Sequence, residues 1–293
     1  MTGPGAAPKR LTVTTLGTGG PRPHPGRCGP ATLIRFGERP ILFDAGRGVA
    51  VQLVRAGVPL AQLEHLFVTH HHFDHIGDLY DVALSSWLAG RRVPLRVVGP
   101  PETRRIVDAL VTQVYDKDIE WRSDGEPSFG GWQPIAARDV VAGRVHDGDD
   151  WTVDAEVVVH GHGLDLSPAF LKRWICYGYR FEAQGRRIAI SGDTVDCAGL
   201  QRLAQGADVL VQCCWSTEGE LVTEHLRRLS RYTLACGDSV GRIAARAGVR
   251  TLVLTHHRPR ADRAFAQALE REVRREFDGR LVIAEDLDGI VVA

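Results

Sequence analysis

Thr69-His70-His71-His72-Phe73-Asp74-His75 decides how this chain is read. The stretch contains H-x-H-x-D-H and follows Leu66–Thr69, a short apolar run that reads as a strand. Residues two apart in an extended segment point to the same side, so His70 and His72 can reach one ion together. The chain must then turn, which lets Asp74 and His75 face a second ion. Imidazole and carboxylate are the donors expected for zinc, with iron or manganese as alternatives. A site with three protein ligands keeps a position for water and suits catalysis. The cluster cannot complete two ions alone. Further donors stand at the ends of other predicted strands, namely His160, Asp193 and His256. Strand ends of this kind converge on one rim of a layered fold.

Outward from the cluster, Leu11–Leu16, Ala31–Phe36, Ile41–Phe43 and Leu95–Val98 read as strands, and Val49–Ala56, Asp78–Leu88 and Glu102–Tyr115 as helices, the last with Ile106, Leu110 and Val114 on its apolar face. Asp116–Asp150 is the least regular stretch and reads as an insertion or edge over the site. The second half repeats the style. Val153–His160 is a strand, Cys176–Glu182 with Arg187–Ser191 a hairpin, Val209–Cys213 and Thr251–Thr255 are strands, and Ala198–Gln205, Glu218–Tyr232, Ser239–Ala247 and Asp262–Phe277 are helices. Leu281–Ala284 and Ile290–Val292 close the chain as strands. Two strand-rich segments with interspersed helices predict an α+β fold of two mixed sheets packed face to face, with helices outside. Residues 1–10 read as a loose tail and 11–293 as a single domain.

Composition narrows the function. With 36 basic and 36 acidic residues the formal net charge is zero, whereas proteins that grip a nucleic-acid backbone usually carry a basic excess. None of the six cysteines forms a C-x-x-C pair, which argues against a thiolate metal site and for free thiols in a reducing cytoplasm. The first ten residues lack the apolar core of a signal peptide, and no run is long enough to span a bilayer, so no membrane partner is expected.

The chain resembles the metallo-β-lactamase superfamily, and within it the ribonuclease Z and arylsulfatase-like branch. The resemblance rests on Leu16-Gly17-Thr18-Gly19, Leu42-Phe43-Asp44-Ala45-Gly46, the histidine cluster, Val158-Val159-His160, Gly178-Tyr179-Arg180, Ser191-Gly192-Asp193-Thr194 and Leu252-Val253-Leu254-Thr255-His256, in that order. It implies a four-layer αββα sandwich with the metals at one edge of the β-layers. It further implies that His70, His72 and His160 hold the first ion and Asp74, His75 and His256 the second, with Asp193 bridging them. Two zinc ions so held would share a hydroxide that attacks an ester-type bond, with Asp74 also orienting it. His162, two residues past His160, competes for its role, although the spacing from Val153 favours His160. Asp44 reads either as a carboxylate bracing the metal loops or as a turn residue. His24, His65, His146 and His225 are expected to have no metal role, and His71 and His257 to point away from the ions.

The pattern also departs from ribonuclease Z. The family has a further histidine that assists the leaving group, and Leu234 stands in its place, with Cys236 and Asp238 nearby where threonine and glutamate are usual. His225 lies too far upstream to fill in without a loop shift. The long basic arm that clamps transfer RNA is not evident; only Gly163–Trp174 separates His160 from the Gly-Tyr-Arg segment, as a lid or a packed helix. With zero net charge, these departures favour a small-molecule ester (phosphodiester, sulfate ester, carboxyl ester or lactone) and disfavour nucleic acid, leaving processing of precursor-tRNA 3′ ends as the alternative. A homodimer is common among similar proteins. An iron oxidoreductase is disfavoured, since its flavin-linked relatives carry a further domain for which 293 residues leave no room.

Overall fold

A computed structural model describes residues 8–126, 131–259 and 262–292. Strands β1 (Leu11–Gly17), β2 (Ala31–Phe36), β3 (Arg39–Phe43), β4 (His65–Phe67), β5 (Leu95–Gly99) and β6 (Ile135–Asp139) belong to one sheet. The other contains β7 (Gly143–Asp147), β8 (Thr152–Val158), β9 (Cys176–Ala183), β10 (Arg186–Ile190), β11 (Val209–Cys213), β12 (Thr251–Thr255) and β13 (Arg280–Ile283). The last strand, β14 (Asp288–Val291), returns to pair with β1, so the chain's two ends meet in the first sheet. The helices are α1 (Val49–Arg55), α2 (Phe73–Ile76), α3 (Leu79–Leu88), α4 (Thr103–Ala109), α5 (Asp116–Gly125), α6 (Pro168–Arg173), α7 (Ala198–Ala204), α8 (Glu224–Tyr232), α9 (Gly237–Ala247) and α10 (Arg263–Val273).

Side-chain alternation builds the layers. In β3, Ile41 and Phe43 enter the core between the sheets, while Leu42 faces α1 and α3. In β12, Val253 joins the same inter-sheet core, and Leu252 and Leu254 pack under α9 and α10. Strands buried on both faces read as unbroken apolar runs, which is why they are so plain in the sequence. Three apolar layers separate four layers of structure, the αββα sandwich. Among the described residues no helix is long and apolar enough to cross a membrane.

Asp116–Asp150 is more regular than its sequence suggests. It forms α5, β6 and β7, and the two strands are the outer edges of the two sheets. Edge strands are often kept polar because an apolar edge invites pairing with other chains, and that polarity hides them from a hydrophobic pattern. Glu102–Tyr115 is not one helix: α4 ends at Ala109 and passes into a π-turn over Leu110–Val114. In α4 the buried positions are Thr103 and Val107 and not Ile106, and Val114, at the end of the π-turn, is exposed.

Sheet direction gathers the candidate donors. β10, β11 and β12 run parallel, and β8 is related to β10 by two antiparallel steps through β9, so the carboxyl ends of β8, β10 and β12 share one rim. Two bonds stitch the exit of β4 to β9 at that rim. The Tyr179 hydroxyl donates to the Val68 carbonyl (2.7 Å), and the Tyr177 N–H to the Thr69 carbonyl (2.8 Å). Beside them, Gly29 and Gly46 let three backbones meet: a Cβ on Gly46 would lie 2.4 Å from the Gly29 carbonyl carbon and 2.5 Å from the Asp74 oxygen. Replacing Gly46 with Ala should therefore lower the free energy of unfolding by about 2–3 kcal/mol, the cost of overpacking rigid backbone. An unchanged urea midpoint would show that this contact is slack.

Candidate metal centre

Residues following four strands, and the short helix after the first of them, converge on one space. His70 and His72 follow β4 in extended backbone, and His72 begins α2, whose single turn carries Asp74 and His75. His160 follows β8, Asp193 follows β10 through Gly192 in left-handed backbone (φ 59°), and His256 follows β12 with φ 64°. A non-glycine residue in that region is uncommon, and such residues cluster at functional sites. Gly20 lies flat against the His256 ring, where an added Cβ would sit 3.0 Å away.

The donors form two groups: His70, His72, His160 and Asp193, and Asp74, His75 and His256, with the candidate atoms of each group within 4.8 Å of one another. Within the first, His72 Nδ1 lies 3.0 Å from His70 Nε2 and 3.1 Å from His160 Nε2. In the second, Asp74 Oδ2 lies 3.4 Å from His256 Nε2 and 3.9 Å from His75 Nε2. Asp193 faces both. Its Oδ2 is 3.8 Å from His160 Nε2, 4.0 Å from His70 Nε2 and 3.2 Å from His256 Nε2, while Oδ1 is 3.4 Å from His75 Nε2. All seven are therefore brought together, with Asp193 between the two sets of rings.

Hydrogen bonds behind the rings set which nitrogen faces inward. Asp44, itself in left-handed backbone (φ 60°), accepts from the Thr69 N–H (2.7 Å), the Thr69 hydroxyl (2.8 Å) and His75 Nδ1–H (2.8 Å). With its proton given to Asp44, the Thr69 hydroxyl accepts from His70 Nδ1–H (3.0 Å). His160 Nδ1–H donates to the Thr233 carbonyl (2.7 Å). Each of these imidazoles thus turns its Nε2 toward the shared space, the arrangement that orients metal-binding histidines. Asp44 is a brace and not merely a turn residue.

The fit for cations is also visible in what lacks a partner. Asp74 Oδ2, His75 Nε2, Asp193 Oδ1 and both ring nitrogens of His256 are buried without a hydrogen bond. Such atoms are costly unless something satisfies them. Imidazole and carboxylate lone pairs aimed at a common point suit a divalent cation of borderline softness.

Charge divides the groups. Burial holds His70 and His160 below the usual histidine range, and His72 down at about 4. Burial also opposes charge on His75 and His256, but Asp193 outweighs it, helped by Asp44 at the first and Asp74 at the second. His75 is pushed well up and His256 to about 9. Asp193, although buried, is held well below the carboxylate range by His256 and His75.

Other histidines stand clear of the donor groups. His162 accepts the His160 N–H at Nδ1 (3.2 Å) and approaches the Trp174 carbonyl with Nε2 (3.1 Å), so both its nitrogens serve the backbone. His71 bonds Thr103 (2.8 Å), His24 accepts from Gly26, and His65 and His146 pack against Trp151. His257 is buried beside Phe265. Gly163–Trp174 resolves into α6 packed over the site: Trp174 leans on His72 with ring centres 4.8 Å apart and donates its Nε1–H to the His160 carbonyl (2.8 Å). One residue set aside by sequence distance is at the site. The expected helix Glu218–Tyr232 breaks before Thr223, whose hydroxyl caps α8, and His225, in that helix's first turn, lines the cavity of about 750 Å³ above the donors. Leu234 lines the same cavity.

The family model described as a beta-lactamase superfamily domain matches residues 39–257. Ribonuclease Z of Mycobacterium bovis BCG is 34% identical over 288 residues, covering 96% of this chain and 98% of that protein. Ribonuclease Z of Mycolicibacterium paratuberculosis is 34% identical over 287 residues with the same coverage. Among solved structures, the metallo-β-lactamase fold protein YhfI from Bacillus subtilis gives a TM-score of 0.73 at 18% identity, covering 96% of this chain and 99% of its own. The short form of human tRNase Z gives 0.69 at 21% identity, also covering 96% and 99%. At these identities the structures speak for the fold.

The preference for a small-molecule substrate over nucleic acid is overturned by the relatives named ribonuclease Z along nearly the whole chain. Net charge misled because it sums the entire surface, while a phosphate feels charges within a screening length of roughly 8 Å. Many acids are tied to arginines, as in Asp154 with Arg144, Glu156 with Arg202 and Asp208 with Arg250. Arg22 and Arg258 line the donor cavity, and Arg22 has no ion-pair partner among the described residues.

Two outcomes follow from this geometry. Asp44→Ala should weaken zinc binding about 10–100-fold while every donor remains, as loss of a ligand's support does elsewhere; unchanged affinity in a competition titration would remove Asp44 from the centre. Because the His256 value rises from 6.5 to about 9, its contribution to metal-free stability is full below about pH 6.5 and lost as pH climbs through 9. Zinc added at about pH 7.5 must then displace protons from His75 and His256, so its calorimetric heat should vary with the buffer's ionisation enthalpy. A buffer-independent heat would contradict the charged pair.

Proposed function

The chain belongs to the metallo-β-lactamase superfamily, in its ribonuclease Z branch, as a metal-dependent hydrolase, and from that premise we propose that it is an endoribonuclease cutting precursor transfer RNA at its 3′ end. The hydrolase half of this reading is carried by Asp193, within 4.0 Å of ring nitrogens from both donor groups at the floor of an open cavity, and the RNA half by the relatives named ribonuclease Z along nearly the whole chain. His70, His72 and His160 would hold one zinc ion, Asp74, His75 and His256 the other, and Asp193 would touch both. When bound, such a pair supplies a water acidic enough to act near neutral pH and draws charge from a phosphoryl oxygen.

The chain's own residues do the rest. Asp74, kept ionised by its contacts with His256 and His75 despite burial, orients the attacking water by accepting its hydrogen. Arg22, without an ion-pair partner among the described residues, stands at the cavity edge and attracts the phosphate backbone. The short Gly163–Trp174 segment packs on His72 and makes no long arm, so the RNA is gripped near the cavity. A cytoplasmic setting accords with six free cysteines.

The test is cleavage of a precursor transfer RNA bearing a 3′ trailer by the zinc-loaded protein. Asp74→Asn should cut the rate more than about 100-fold, in line with other losses of positioned polar groups. Arg22→Ala should raise KM and shrink the salt dependence by about one ion. An intact precursor under conditions where a p-nitrophenyl phosphodiester is hydrolysed would remove RNA as the substrate and leave the hydrolase.

A further inference from the structure

Breaking a phosphodiester of RNA expels an alkoxide, a poor leaving group unless it takes up a proton as it departs. The donor groups cannot spare one, since their inward nitrogens and oxygens are the candidate ligands. The proton must come from another group lining the cavity. Trp215, Leu226, Leu229 and Leu234 form much of its wall and carry no acid. Arg22 and Arg258 hold their protons too tightly. His257 is 1% exposed, with its ring packed against Phe265, so solvent cannot recharge it between turnovers.

His225 remains. It stands one turn before Leu229 on α8, and both, with Leu226, line the cavity that also contains His72, Asp74, His160, Asp193 and His256. Thr223 fixes the start of the helix by accepting the Leu226 N–H (3.2 Å), which holds these residues toward the cavity. The ring is exposed, so it exchanges protons with solvent.

We propose that His225 is the catalytic acid, giving its ring proton to the leaving oxygen of the substrate diester. This rests on the phosphodiester reading above. Water's oxygen bonds to phosphorus, the bond from phosphorus to the leaving oxygen breaks, and His225 protonates that oxygen to a hydroxyl. The water's surplus proton goes to solvent, from which His225 is recharged. Nothing is oxidised or reduced.

The experiment compares the zinc-loaded protein with His225→Gln on aryl phosphodiesters whose leaving groups range from p-nitrophenol to phenol, alongside the precursor RNA. A p-nitrophenolate departs without help, whereas phenolate and ribose oxygens need the proton. His225→Gln should slow the p-nitrophenyl ester less than about threefold and the phenyl ester about 100-fold, the usual scale of lost acid catalysis, with zinc content and thermal midpoint unchanged. Equal loss on both esters, no loss on either, or loss accompanied by missing zinc would overturn the assignment. Precursor RNA left intact by the unsubstituted protein would count against RNA as substrate, and the ester series would still judge His225.

Discussion

Several lone-pair donors crowded into one buried space hold their places only if the rings are fixed with one nitrogen inward, and the Asp44 carboxylate does most of that fixing. From left-handed backbone just past β3 it takes three hydrogen bonds, from the Thr69 N–H, the Thr69 hydroxyl and His75 Nδ1. Through Thr69 it also sets the tautomer of His70. One carboxylate thereby orients a donor in each group. The stitches from Tyr177 and Tyr179 hold the same segment to the second sheet, so the two halves of the sandwich are tied together where the donors meet.

The electrostatics are built on Asp193. It is buried between the groups, and the positive charge that keeps it ionised in the metal-free chain sits on His75 and His256. Divalent ions would take over that duty, which makes metal and proton competitors for the same atoms. The first group offers rings already neutral. Asp193 couples the two, so each half of the centre shapes the charge of the other. His72, the one exposed member of the seven, lies under Trp174, placing α6 where it can influence what reaches the cavity.

Much of this was legible in the sequence, for local reasons. H-x-H-x-D-H at the end of an apolar strand carries its geometry with it, because an extended segment followed by one helical turn aims its side chains predictably. His160, Asp193 and His256 were legible as polar residues ending buried strands. What stayed hidden depends on the tertiary fold. Asp44 could not be told from a turn residue until Thr69 and His75 were seen around it. β6 and β7 were hidden by the polarity of edge strands. His225 was set aside because Leu234 lies nine positions further on, but α8 takes up most of that interval and both line one cavity. Net charge concealed local detail, since acids elsewhere pair with arginines while Arg22, at the site, has no ion-pair partner among the described residues.

The central claim is that two donor groups sharing Asp193 hold a pair of metal ions. Anomalous diffraction from zinc-soaked crystals, recorded on both sides of the zinc edge, tests it most directly. The account predicts two peaks flanking Asp193, each about 2.0–2.2 Å from its donors, one among His70, His72 and His160 and the other among Asp74, His75 and His256. A single peak, or peaks bound by His162 or away from Asp193, would contradict it.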